Sequence, residues 1–441
     1  MTPMSGWHGA SAPEQPITPA IAALVAPEIR WKGVPWCRDG WYLSSRPSFI
    51  TDPAWHAGLY YVQEASSMFL EQAFRQHVSL SSPLRVLDAC AAPGGKSTHL
   101  HSLMGEGGLL VSNEVIRTRV SILSENMQRW GGENVVITSN DPRDFASLHG
   151  FFEVIMVDAP CSGSGLFRRE PEAIAEWSLS QVQLCSHRQE RILSDLWGSL
   201  RDGGLLIYST CSYSPEEDER ILDWLHASFE VETLPIDLQP EWGVVEVQAP
   251  VSGAYGYRFY PHRLDGEGFF IACLRKKGGD KNDNKGRAAG KSVRPKEGFE
   301  ALHKNEVEWI KPWIREPDKY RLFRAGETNR AISLHLAEDL GHLSGSLRIR
   351  DAGIAVGQLM KADLVPDPGL ALSLLTAADI PRIDLSKEQA LKYVRKDELH
   401  LNGAPKGWAM VTYGGHALGW VKILAGRVNN YYPKQWRVLK R

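Results

Sequence analysis

Between residues 84 and 274 short apolar runs alternate with longer stretches in which apolar residues return every three or four positions, so the chain switches repeatedly between strand and helix periodicity. The strand-like runs are Leu84–Asp88, Leu109–Ser112, Val135–Thr138, Val154–Asp158, Leu205–Ser209 and Phe269–Leu274. Between them 115–130, 179–200 and 216–229 carry one apolar and one charged face. Pro215 and the acids Glu216, Glu217, Asp218 and Glu219 suit a first helical turn. This order predicts an α/β fold: a Rossmann-like doubly wound sheet, helices on both faces, and a ligand cleft outside the carboxyl ends of the strands.

The alternation stops near Lys276. From there to Gly298 the chain has no apolar period and is rich in Gly, Lys, Asn and Asp, a composition that buries too little surface to order itself. Residues 299–441 resume as a smaller α+β region, in which Trp408–Thr412 and Leu418–Leu424 flank Gly414–Gly415, a hairpin signal. A chain of 441 residues exceeds what one core usually organises. The pattern divides it into an N-terminal extension (1–70), the alternating domain (71–276), a flexible basic linker (277–298) and a C-terminal region (299–441).

Composition narrows the class. Hydrophobic residues make up 43% and charged residues 23%, as in ordinary globular proteins, and no apolar run reaches the length needed to cross a bilayer. Met1 to Pro19 lacks the pattern of a secretory signal, so a cytoplasmic monomer is expected. Six cysteines, none in a Cys-x-x-Cys pair, predict reduced thiols and no metal centre. A net charge of −2 says little for a phosphate-rich partner, but the basic charge is local: residues 275–297 hold nine Lys/Arg against three acids, and 421–441 hold six and no acid. Near the C-terminus Arg427, Lys434, Arg437, Lys440 and Arg441 interleave with Tyr431, Tyr432 and Trp436. That pattern suits stacked RNA bases and neutralised phosphates, and equally suits aromatics closing a small core beneath solvated cations. Trp31, Trp36, Trp41 and Trp55 favour packing over base stacking.

The candidate chemistry sits at the strand ends. The first strand runs into Asp88-Ala-Cys-Ala-Ala-Pro-Gly-Gly-Lys96, where small residues let backbone approach a ligand at a helix start. Glu114 ends the second strand-like run, where a carboxylate can accept from two ribose hydroxyls. Together they indicate a nucleoside cofactor. Neither the dinucleotide pattern G-x-G-x-x-G nor the phosphate loop G-x-x-x-x-G-K-[ST] is present, so hydride transfer and phosphate hydrolysis recede. Asp141 and Asp158 reach the same rim. Asp141 suits an adenine amino group, or else a turn cap before Pro142. Asp158 suits a cationic methionine end or a base edge.

Cys161 in Asp-Ala-Pro-Cys-Ser-Gly and Cys211 in Ser-Thr-Cys-Ser-Tyr-Ser follow two strands at that edge, whereas Cys37, Cys90, Cys185 and Cys273 lie in apolar or helical surroundings that suit packing. Carbon 5 of cytosine is a poor nucleophile until a thiolate adds to carbon 6, and a second thiol can help the adduct break down afterwards. Spacing leaves open which thiol attacks, since DNA cytosine-5 methyltransferases use the cysteine of a Pro-Cys loop. Enzymes that methylate exocyclic amines carry no catalytic thiol, and a non-enzymatic RNA-binding protein would have no reason to keep both sets of residues.

The blocks DACAAPGGK, NEVIRTRVSILSENMQRWGG, VDAPCSGSG and YSTCSYSPEEDE resemble the NOL1/NOP2/Sun family of RNA cytosine-5 methyltransferases. Ala57–Met68 is similar to that family's lead-in segment, with Ala65 where Pro is common, and the ending GWAMVTYGGHALGWVKILAGRVNNYYP is similar to the PUA-like domain of the bacterial small-subunit rRNA methyltransferase F group. The resemblance implies an S-adenosyl-L-methionine-dependent methyltransferase domain, an N-terminal RNA-recognition extension and a C-terminal PUA-like RNA-binding region. It implies Cys211 as nucleophile, Cys161 in product release, and Lys96 and Asp158 beside the base. The cofactor would be held by Cys90, Ala91, Ala92, Pro93, Gly94, Gly95, Lys96, Glu114, Asp141 and Asp158. Its substrate would be RNA, small-subunit rRNA ahead of tRNA.

Overall fold

The computed structural model describes residues 29–105, 107–278, 299–401 and 403–440, together with the strand Thr2–Pro3. Most of the predicted linker, from 279 to 298, lies outside the described residues.

A ten-stranded sheet forms the centre. Its strands are β1 (Arg85–Asp88), β2 (Leu109–Asn113), β3 (Val135–Thr138), β4 (Phe152–Asp158), β5 (Leu200–Thr210), β6 (Val231–Leu234), β7 (Val245–Gln248), β8 (Tyr255–Phe259), β9 (Phe269–Lys276) and the later Ile349–Ala352. Strands β3-β2-β1-β4-β5 run parallel, as near-continuous runs of Val, Leu and Ile buried on both faces require. Beyond β5 the sheet turns antiparallel through β9, β8 and β7, with β6 also on β9. This meander was not predicted, because the alternation in VEVQ and YGYRF is short. The helices are α1 (Leu70–His77), α2 (Gly95–Leu103), α3 (Arg117–Trp130), α4 (Leu179–Trp197) and α5 (Glu219–Ser228). One face of the sheet packs on a core that includes Phe69, Leu100, Leu123, Met156 and Ile271, the other on Ile155, Ile192, Leu222 and Phe270.

Residues after 299 hold two sheets. One has five strands, Glu300–Ala301, Tyr320–Ala325, Thr328–Ser333, Ile354–Met360 and Asp363–Pro366. Its neighbour in sequence, Ile349–Ala352, pairs antiparallel with β3 and so extends the central sheet. The other has four strands, Arg382–Asp384, Gly407–Tyr413, His416–Leu424 and Arg427–Asn430. Gly414 and Gly415 turn the predicted hairpin with φ of 56° and 82°, which glycine adopts without steric cost. The aromatic run closes this unit from inside: Tyr432 and Trp436 are buried and Tyr431 packs edge-on against Trp408, while Arg427, Lys434, Arg437 and Lys440 face solvent.

The N-terminal segment shares that core, with Ile29, Ala54, Leu59 and Tyr60 lying among Tyr393, Tyr432 and Trp436. Trp36 is buried and its indole N–H donates to Ala65 O, in keeping with the packing role expected of it. Arg129, at the end of α3, lies between two indoles, its guanidinium carbon 4.7 Å from the Trp55 ring centre and 4.4 Å from that of Trp436. One cation thus joins the N-terminal segment, the catalytic domain and the C-terminal unit. Desolvated cation–π contacts contribute up to about 2 kcal/mol each. Arg129→Ala should therefore lower the urea midpoint and expose the C-terminal unit to limited proteolysis, whereas Arg129→Lys should keep part of the stability. Equal midpoints for Arg129→Ala and wild type would refute the joint.

Candidate active site

The carboxyl edge of the parallel strands gathers the predicted residues. Strands β4 and β5 are neighbours in register, Asp158 opposite Ser209, so the loops that follow emerge side by side. Cys161 and Cys211, 50 residues apart in sequence, consequently stand with sulfurs 3.1 Å apart as free thiols. The approach depends on Gly165, which donates its N–H to Cys211 O. A Cβ there would lie 2.7 Å from that oxygen and 2.5 Å from Gly268 O.

Lys96, in the first turn of α2, places Nζ 2.8 Å from Asp158 Oδ2, and Ser209 donates to Asp158 Oδ1 at 2.7 Å. Burial alone would lower the Lys96 pKa, but Asp158, Asp88 and Cys211 together raise it, so the ammonium is retained. The two thiols diverge. The contact from Cys161 pulls Cys211 below the usual thiol range; burial and Asp158 work against this and Lys96 assists it. Cys161 rises well above that range through the same contact, burial and the nearby Cys211 and Glu217.

The loop after β1 is held from outside. Arg119 donates to Ala92 O at 2.5 Å and Asn126 to Pro93 O at 2.8 Å, so α3 staples the Cys90–Gly94 backbone. Gly94, at φ 115°, ends that loop in a conformation L side chains rarely adopt, and α2 begins at Gly95. Cys90 is half-buried against the core and its thiol is pushed up by burial.

Glu114 is buried. Its Oε1 accepts from Ile116 N at 2.8 Å, while Oε2 lies 3.2 Å from Arg119 without a directed hydrogen bond. Asp88 Oδ2 accepts from Ser97 Oγ at 2.7 Å, and its Oδ1 is buried without a hydrogen-bond partner among the described residues. Burial pushes the Asp88 carboxyl up to about 7, with Ser97 opposing and Asp158 reinforcing. A buried acceptor without a hydrogen bond, Asp88 Oδ1, and one held only by an ion pair, Glu114 Oε2, stand on adjacent strand ends and fit a ligand rich in hydroxyl and ammonium donors, as S-adenosylmethionine is. Asp141 reaches the rim but has other partners: it caps the turn Pro142–Ser147 through Arg143 N and pairs with Arg191 at 3.1 Å.

Some side chains that shape this edge were not identified from sequence. Asp88 was visible only as the residue before the loop. Glu217 and Asp218, expected in a helix first turn, precede α5 and are fully buried. Each fills a pocket lined by serine, threonine or arginine donors, which offset the cost of burying a carboxylate. Cys37, Cys185 and Cys273 are buried, as expected. Cys37, Glu71 and His99 form a buried cluster at metal-ligand spacing, but its groups bond one another and Arg75.

Fold and site together define an S-adenosylmethionine-dependent methyltransferase. A family model described as 16S rRNA methyltransferase RsmB/F matches residues 78–275; the methyltransferase RsmF PUA domain matches 380–438, and the N-terminal domain of 16S rRNA methyltransferase RsmF matches 16–65. Ribosomal RNA small subunit methyltransferase F of Aeromonas salmonicida is 31% identical over 415 residues, covering 92% of this chain and 85% of that protein. The Enterobacter sp. protein of the same name is 30% identical over 435 residues, covering 94% and 86%. The crystal structure of PH0851 aligns at 26% identity with a TM-score of 0.52, over 58% of this chain and 56% of that one. The chain belongs to the ribosomal RNA small subunit methyltransferase F family. Among the described residues no helix is long and apolar enough to cross a membrane.

Proposed function

We propose that this enzyme methylates carbon 5 of a cytosine in small-subunit ribosomal RNA, in the cytoplasm, through a covalent Cys211 adduct. The observation that carries the reading is the thiol pair, 3.1 Å apart beside the Lys96–Asp158 ion pair. Methylation of an amine or hydroxyl needs no thiol; carbon 5 of cytosine needs one to become nucleophilic. The relatives' names support ribosomal RNA as the substrate.

The Cys211 thiolate adds to carbon 6 of the base, moving the carbon 5–carbon 6 electron pair toward carbon 5. When bound, S-adenosylmethionine supplies the electrophilic methyl group that carbon 5 takes. Asp158, fixed by Lys96 and Ser209, accepts hydrogen bonds from the base edge and so favours the ring protonated at nitrogen 3 as the thiolate adds. Cys161 then assists release: the proton leaves carbon 5 for solvent, its electron pair re-forms the carbon 5–carbon 6 double bond, and the sulfur–carbon 6 pair returns to Cys211 as the thiolate. The loop from Cys90 to Lys96, with Glu114, Asp141 and Asp158, would hold the cofactor. In this reading residues 1–70 and 299–441 grip RNA around the catalytic domain at 71–276, with 277–298 as a basic tether.

Bisulfite sequencing of RNA from a strain lacking this gene tests the substrate. One or a few protected cytosines in small-subunit rRNA should become convertible, and re-expression should restore them. An unchanged rRNA profile, with or without a change in tRNA, overturns the rRNA assignment.

A further inference from the structure

The carboxylate of Glu217 lies under both thiol loops. Its Oε1 accepts from Ser162 N at 2.6 Å, and Oε2 accepts from Ser162 Oγ at 2.6 Å and Ser212 Oγ at 2.5 Å. Ser162 follows Cys161 in the chain and Ser212 follows Cys211. Glu217 is fully buried and its own carbonyl accepts from Tyr208 Oη at 2.6 Å, which fixes the backbone to β5. Trp177 closes the far side by donating to Ser162 Oγ at 3.2 Å. A single buried anion therefore ties together two loops whose residues the covalent reaction needs at one place. Two of its three hydrogen bonds go to the residue beside Cys161, whereas the cation Lys96 pairs with Asp158.

We infer that Glu217 is a positioning residue that holds the two thiol loops in register with its carboxylate on the Cys161 side, so that Cys211 is the sulfur free to attack. The inference rests on the cytosine-5 reading and supplies it with a physical reason for the division of labour. The titratable groups facing the two sulfurs are Glu217 before α5, Asp158 at the end of β4, Lys96 on α2, Tyr208 within β5 and Cys185 on α4. Of these, Glu217 opposes ionisation of Cys161, and Lys96 favours that of Cys211.

The test is site-resolved alkylation of the full chain by iodoacetamide between pH 6 and pH 10, read by mass spectrometry, beside steady-state methylation. In wild type, Cys211 should react at lower pH than Cys161. In Glu217→Gln, Cys161 alkylation at pH 8 should rise about tenfold, closing the gap, because its neighbouring charge is gone. In the same variant kcat, referred to the folded fraction measured by circular dichroism, should fall about 100-fold with KM for the cofactor nearly unchanged. A folded Glu217→Gln with the wild-type reactivity order and kcat overturns the inference. Should Glu217→Gln fail to fold, Ser162→Ala, which keeps the charge and removes one anchor, should lower kcat and leave the alkylation order intact; an unchanged kcat there overturns it too. Alkylation needs neither RNA nor cofactor, so a wrong substrate assignment leaves its outcome unmoved.

Discussion

Cys161→Ala, incubated with unmodified small-subunit RNA and S-adenosylmethionine, should accumulate a protein–RNA species that survives a denaturing gel, and Cys211→Ala should form none. The reason is chemical order. Attack at carbon 6 comes first and requires a thiolate, and only Cys211 has its pKa drawn below the usual range, by the contact from Cys161 with Lys96 assisting. Cys161 is held protonated and is placed to act after methyl transfer, when the sulfur–carbon bond must break. Cys211→Ala should thus lose methyl transfer by about 10⁴-fold or more, the scale on which removal of a covalent nucleophile registers. Cys161→Ala loses the contact that lowers the Cys211 pKa but keeps Lys96, so it should complete one methyl transfer more slowly than wild type and then stall, visible as a burst of one equivalent with little turnover. A trapped adduct with Cys211→Ala and none with Cys161→Ala would reverse the roles and leave the fold unaffected.

Placement of these thiols was legible in the sequence because it depends on local patterns. A buried parallel strand is a continuous apolar run, and the residue after it stands at the carboxyl edge whatever the rest of the sheet does. Knowing that β4 and β5 are neighbours required the structure, and with it the 3.1 Å contact. Charged residues were the harder case. The burial of Glu217, Asp218 and Arg258 was not legible because sequence shows a charge without showing its partner, 39 residues away in the pairing of Arg258 with Glu219. Asp141 shows the same limit: its cap on Pro142–Ser147 is local and was weighed, but its ion pair with Arg191 is not. The capture of Ile349–Ala352 by β3 is a long-range pairing on which its own periodicity is silent.

Arg258→Met should destabilise the protein by about 3–5 kcal/mol, the range found when one partner of a buried ion pair is removed and the other is left behind. Arg258 is buried on β8 and donates Nε and Nη2 to the two Glu219 oxygens at 2.6 and 2.5 Å and Nη1 to Tyr213 O at 3.2 Å. Its Nη2 also lies 3.0 Å from Asp218 Oδ2, although it is aligned on Glu219, and Asp218 Oδ1 accepts from Thr210 beside the Cys211 loop. Burial holds the Asp218 carboxyl well above its ordinary range, with Arg258 the main opposing influence. Losing the guanidinium would raise it further. A carboxyl whose folded pKa lies above its unfolded value binds more protons when folded, so stability declines as pH rises from about 4 through the folded pKa. The deficit of Arg258→Met relative to wild type should therefore be smaller at pH 5.5 than at pH 8, measured by urea denaturation at both. Met fills most of the space that the Arg stem leaves, so a pH-independent deficit would mean that lost packing, and not the stranded Asp218 charge, sets the loss.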